Sequence, residues 1–164
     1  MLARMVVIAT LVTFATAPAT VSVSSAGSNA AFARLKTLAG TWDVKTERSS
    51  GSQPATYSIT GGGRVIVENL GGMLTTYHMD GDRLMLTHYC GAGNQPRMRI
   101  TNADARRISF EMFDITNLAS PEAYRSDRLT VVFLGPNRVN LEYGGLANGQ
   151  RSTQVFELTR RQRR

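Results

Sequence analysis

Cysteine occurs once in these 164 residues, at Cys90, and histidine twice, at His78 and His88. A lone cysteine forms no intrachain disulfide. The fold therefore rests on its hydrophobic core, and Cys90 is either a buried inert side chain or a reactive thiol. Two histidines and one cysteine fall short of the four ligands of a structural zinc centre. No Gly-x-Ser-x-Gly element is present, which removes the serine nucleophile elbow of the hydrolases. Acidic residues number 12 against 19 basic ones, but Arg160, Arg161, Arg163 and Arg164 crowd the last five positions. Without residues 1–30 the net charge is +6, and without those four arginines as well it is +2. The basic balance is thus largely the property of the C-terminus, Arg160 with a tail, 161–164, read as solvated, and predicts no nucleic-acid partner.

The sequence also lacks a run that would hold it in a bilayer. Met5 to Ala17 is apolar but too short to span one. Arg4 is the only charge in the first 30 residues, and small residues follow at Ala17-Pro18-Ala19 and Ser24-Ser25-Ala26. This is the pattern of a signal peptide, residues 1–26, cut between Ala19 and Ala26. It predicts an exported, periplasmic or extracellular protein with no stable membrane insertion after cleavage.

What is present is alternation. Asn29 to Leu38 reads as a short helix, capped by Ser28 or Asn29, with Phe32, Leu35 and Leu38 at helical spacing. Trp42 to Glu47 alternates as a half-buried strand. Further strands are expected near 55–60, 64–70, 73–79, 83–90, 96–101, 107–114, 128–134, 138–143 and 153–160, separated by glycine-, asparagine- and proline-containing turns. No second helix intervenes. About ten short antiparallel strands with hairpin links predict an all-β, up-and-down barrel over residues 30–160. The one long connection, Thr116 to Asp127, is either a lid or a surface loop.

The central hairpin organises the rest. Two strand-forming runs flank Asp80-Gly81. With those two residues as the turn, Met79 faces Asp82. Met73, Thr75, Tyr77 and Met79 then share a face with Leu84, Leu86, His88 and Cys90. That face is the more apolar and is placed inside. Sorting the other strands adds Trp42, Tyr57, Ile59, Val65, Val67, Met98, Ile100, Phe110, Leu129, Val131, Phe133, Leu141, Phe156 and Leu158, with Asn69, Tyr143, Thr75 and His88 as polar members. His78 falls on the outer face and is given no role. Gly91-Ala92-Gly93-Asn94 joins two strands and is a hairpin loop rather than a phosphate cradle.

A short helix, then Leu38-Ala39-Gly40-Thr41-Trp42 entering the first strand, then an antiparallel meander, resembles the calycins: lipocalins, fatty-acid-binding proteins and nitrobindins. The stretch Tyr77 to Cys90, continuing through Gly93-Asn94-Gln95-Pro96-Arg97-Met98, looks like a group of small exported bacterial lipocalin-like proteins. The lipocalin resemblance implies that an arginine near the end of the last strand packs on the tryptophan and closes one barrel end, here Arg160 on Trp42. A nitrobindin resemblance would imply haem held by a late histidine, and no histidine follows His88.

A barrel of this strand count holds a small apolar or amphipathic molecule when side chains leave room. Tyr77, His88 and Thr75 are the expected polar anchors. Arg97 and Arg99 alternate with Met98 and Ile100 and point outward. A register slip of one residue would carry both inside, where they would meet a ligand carboxylate as the fatty-acid-binding resemblance implies. Two alternatives stand beside binding. One is a barrel enzyme with His88 as general base and Cys90 nearby. The other is a solid-cored envelope protein with no ligand. His88, Cys90 and Met73 form a soft set suited to copper(I), but no cofactor, haem or copper, is expected.

Overall fold

The computed structural model describes residues 23–47 and 54–162. The alternating segments form ten antiparallel strands: β1 (Gly40–Lys45), β2 (Ala55–Thr60), β3 (Val65–Leu70), β4 (Met73–Asp80), β5 (Arg83–Tyr89), β6 (Gln95–Ala103), β7 (Arg107–Thr116), β8 (Arg125–Gly135), β9 (Arg138–Ala147) and β10 (Gln150–Arg160). Each pairs with its neighbours in sequence, and β1 pairs with β10. The result is a closed up-and-down barrel, which leaves no strand edge exposed.

The single helix, α1 (Ser25–Lys36), begins four residues earlier than its apolar spacing suggested. Ser24 is the N-cap, its Oγ accepting the Gly27 N–H at 3.1 Å, and Ser28 is buried within the helix rather than capping it. Residues 1–22 of the expected signal peptide lie outside the described residues. Ser25 and Ala26, at its expected end, form the first turn of α1.

The interior follows alternation strand by strand. Trp42, Tyr77, Leu84, Leu86, Met98, Leu129 and Leu141 are fully buried, each large side chain contributing about 1.5–3 kcal/mol by leaving water. Three details differ from expectation. The central turn is Gly81-Asp82, since Met79 pairs with Leu84 and Asp80 with Arg83. Gly81 takes a positive φ of 59° at the first turn position, where glycine carries no steric cost. Because 82 and 84 have the same parity, the facing of every side chain in the hairpin survives the shift. Ile59 lies at the barrel rim and is exposed. Strand β3 is turned over: Ile66, Glu68 and Leu70 point inward, while Val65 and Val67 are half-buried and Asn69 is exposed. The run Val65-Ile66-Val67 is apolar on both faces, so its parity carried no signal.

One end of the barrel is closed by α1. Trp42 donates its Nε1–H to Leu38 O at 2.8 Å. Arg160, paired with Trp42 across β1–β10, lies 4.2 Å over the indole ring. Its guanidinium donates to Thr37 O and Ala39 O at 2.6 and 2.9 Å. Arg161, expected in a solvated tail, pairs with Asp43 instead, and its N–H bonds to Thr41 O. Residues 163–164 of that tail lie outside the described residues.

Candidate functional site

Four inward residues stand directly opposite one another on four consecutive strands. Tyr57 of β2 pairs with Glu68 of β3, Glu68 with Thr75 of β4, and Thr75 with His88 of β5. Tyr77 lies two residues further along β4, on the same face. Tyr143 reaches across the lumen from β9. The register thus gathers six polar side chains into one layer of an otherwise apolar interior.

Glu68 is 1% exposed. Tyr77 and Tyr57 both donate their phenol O–H to its Oε2, at 2.6 and 2.8 Å. Tyr143 Oη lies 3.0 Å from the other oxygen, Oε1. Tyr143 Oη is in turn 3.3 Å from Thr75 Oγ1, and Thr75 Oγ1 is 2.9 Å from His88 Nδ1. A continuous hydrogen-bonded chain therefore runs Glu68, Tyr143, Thr75, His88. The imidazole also packs on the Tyr143 ring, centroids 5.1 Å apart. No salt bridge among the described residues involves Glu68.

Electrostatics follow from burial. Loss of water pushes the Glu68 carboxyl above its ordinary range, against the hydroxyl hydrogen bonds that pull it down. Burial first, and the neighbouring carboxyl second, push Tyr57, Tyr77 and Tyr143 well above the ordinary phenol value, so all three keep their protons. Burial lowers His88 to about 4, and the imidazole is neutral near pH 7.

The chain ends at a cavity. At the barrel end opposite α1, a space of about 450 Å³ is lined by His88, Cys90, Met73, Tyr143, Ser126 and Phe156, among others. His88 is 1% exposed and its Nε2 has no hydrogen-bond partner. Such an atom is uncommon, since buried polar atoms are normally satisfied. The cavity lining among the described residues contains no lysine or arginine, and Glu47, at the rim, is its only aspartate or glutamate. Tyr124 covers part of the mouth. Its ring lies so close over Gly145 that a Cβ there would stand 2.7 Å from Cε2. The connection between β7 and β8, residues 117–124, is tied to both neighbouring hairpins: Asn94 Nδ2 donates to Tyr124 O at 2.7 Å, Asn117 Nδ2 to Gly93 O at 2.7 Å, and Asn148 N to Glu122 O at 2.9 Å.

No family model matches this chain, and no curated protein matches it.

The expected site residues separate into three places. Tyr77, Thr75 and His88 share the polar layer. Trp42 and Arg160 meet at the closed end. Arg97 and Arg99 are outside: Met98 and Ile100 take the inward positions of β6, and both guanidinium groups lie over Phe113 on the outer surface, at 5.2 and 5.9 Å. Arg97 is further paired with Asp114 at 2.9 Å. The register slip that would have carried them to a ligand carboxylate does not occur. Cys90 lines the cavity mouth beside His88, but its sulfur takes the Ala92 N–H at 3.5 Å while His88 Nε2 stays unpartnered. Met73, His88 and Cys90 border the same cavity, whereas no group of three His, Cys, Asp or Glu side chains comes together among the described residues.

Glu68 and Tyr143 were missed as site residues. A signal existed: three tyrosines on inward faces bring three phenol donors into the lumen, and buried donors require an acceptor. Placing Glu68 inside supplies it.

Proposed function

We propose that this protein is an exported, lipocalin-like carrier that binds a small apolar or amphipathic molecule in the cavity at the open end of its barrel. The observation that carries the reading is the unpartnered His88 Nε2, buried where it lines a cavity in which Met73, Val155 and Phe156 alternate with hydroxyl and amide side chains. Ligand sites are concave and apolar with a few placed polar groups, and an unsatisfied buried polar atom is the group that a ligand would satisfy. The arrangement of helix, Gly40-Thr41-Trp42 and Arg160 at the other end supports the lipocalin-like placement.

The test is a fluorescence titration with Nile red, a neutral apolar dye. Saturable enhancement at one dye per chain is expected. Gln154 sits at the exposed rim of the cavity, paired with Tyr143. Gln154→Trp is expected to plug the cavity and weaken binding at least tenfold with little change in stability. Unsaturable binding, or binding indifferent to the plug, would refute the reading. Native mass spectrometry of protein from an exporting host adds the identity of any resident molecule.

A further inference from the structure

We propose that the cavity selects an uncharged molecule bearing a carbonyl oxygen (a ketone, aldehyde or ester), which accepts the N–H of His88 Nε2, and that it discriminates against carboxylates. This rests on the binding reading above and specifies its ligand class.

The argument is a count of protons along the buried chain. Glu68 is surrounded by hydroxyl groups, and no cation among the described residues pairs with it. A carboxyl buried without a cation keeps its proton rather than its charge. Oε2 already accepts two phenols; in the neutral acid the proton then sits on Oε1, and the contact with Tyr143 Oη, in which an ionised Glu68 would accept, runs from Glu68 to Tyr143 instead. Tyr143 must then give its own hydrogen elsewhere, and the acceptor within reach is Thr75 Oγ1. Thr75 in turn donates to His88 Nδ1. A neutral imidazole that accepts at Nδ1 carries its hydrogen on Nε2. Each link passes on one proton, and the polarity of Glu68 arrives at the cavity as an N–H donor with nothing to donate to.

A carbonyl oxygen satisfies that donor without bringing charge into the barrel. A carboxylate also accepts the N–H, but meets no arginine or lysine among the described residues of the lining and lies near the buried acid. Leaving water without a counter-ion is unfavourable for an anion. Thr75 and Tyr143 are positioning residues here, and they act through the histidine tautomer.

Long-range proton–nitrogen NMR of the labelled protein reads the tautomer directly, with His78→Gln assigning the second ring. His88 is expected in the Nε2–H form, and an Nδ1–H form would overturn the proposal. In displacement of Nile red, 2-decanone is expected to compete at least about tenfold better than decanoate, the effect of one uncompensated charge. Equal or better competition by decanoate would overturn it. Thr75→Val breaks the chain with little change of shape. It should mix the two tautomers and weaken 2-decanone by the inverse of the remaining Nε2–H fraction, about twofold for an even mixture, and Thr75→Ser should restore both. An unchanged tautomer and an unchanged affinity in Thr75→Val would also overturn it. If Nile red binds but neither competitor displaces it, the carbonyl proposal fails and the binding reading stands. If Nile red itself does not bind, both fail.

Discussion

The two ends of the barrel use the same materials to opposite effect. At the closed end, the two polar side chains that meet over the core have fixed partners: Trp42 bonds to Leu38 O, and Arg160 bonds to two backbone carbonyls while its guanidinium covers the indole. At the open end the corresponding chain of hydrogen bonds stops one partner short, at His88 Nε2. Backbone carbonyls are built into the fold and cannot leave, so the closed end is a structural seal. A donor without a partner is satisfied by something that arrives from outside, so the open end has the properties of a site. Between them, Glu68 and its three tyrosines form a layer fully satisfied on the side of the seal and extended by Thr75 towards the cavity.

The largest expected effect strikes the seal. Trp42→Ala should cost about 3–5 kcal/mol, from lost burial and the void left behind, read as a lower midpoint in urea unfolding. If it is instead below 1 kcal/mol, the closed end is not what holds the barrel together. Next comes the pH dependence of the open end. His88 has a folded value of about 4 against an ordinary 6.5, so the folded state binds fewer protons than the unfolded chain between those values. Stability from this residue is complete above pH 6.5 and lost as pH falls through 4, by about 2–3 kcal/mol. His88→Phe should flatten that acid limb. Glu68 acts in the opposite direction. Its folded value is raised, so its contribution is complete below the ordinary 4.5 and declines as pH rises above it, and Glu68→Gln should remove this second slope.

A pair of phenylalanine substitutions separates the sides of the polar layer. Tyr57→Phe and Tyr143→Phe each remove one hydroxyl from Glu68, and each should cost about 1–3 kcal/mol. Only Tyr143→Phe interrupts the chain to His88, so only it should also alter Nile red binding. Equal effects on binding would erase the distinction between the two sides. The smallest effect belongs to neither end. Arg97→Ala removes a solvent-exposed ion pair with Asp114 and should change stability by no more than about 0.5 kcal/mol, with Nile red affinity unchanged. A large loss of affinity would return the outer arginines to the binding site.

Much of this is legible in the sequence. The inward set of the central hairpin, Thr75 and Tyr77 with Leu84, Leu86 and His88, follows from alternation alone, and it withstood an error of one residue in the turn because side-chain facing has a period of two. The juxtaposition of Trp42 and Arg160 is what the lipocalin resemblance implies, and alternation along the last strand supplies only the inward facing of Arg160. Strand β3 was not readable. Val65, Ile66 and Val67 suit either face, and ordinary hydrophobic sorting prefers Asn69 to Glu68 inside, since burying a carboxyl is unfavourable in isolation.

The amino-acid sequence by itself determined the strand count, the meander order and the facing of most side chains, because these depend on local alternation and on turn residues between neighbours. Closure of the barrel decided the rest. Only when β1 met β10 did Tyr143 on β9 come within 3.0 Å of Glu68 on β3, 75 residues away in the chain, and only then did burying the carboxyl become favourable. The partners that offset the desolvation of Glu68 are contributed by three other strands, so neither the acid nor the proton chain leading from it to the cavity is visible until those strands surround it.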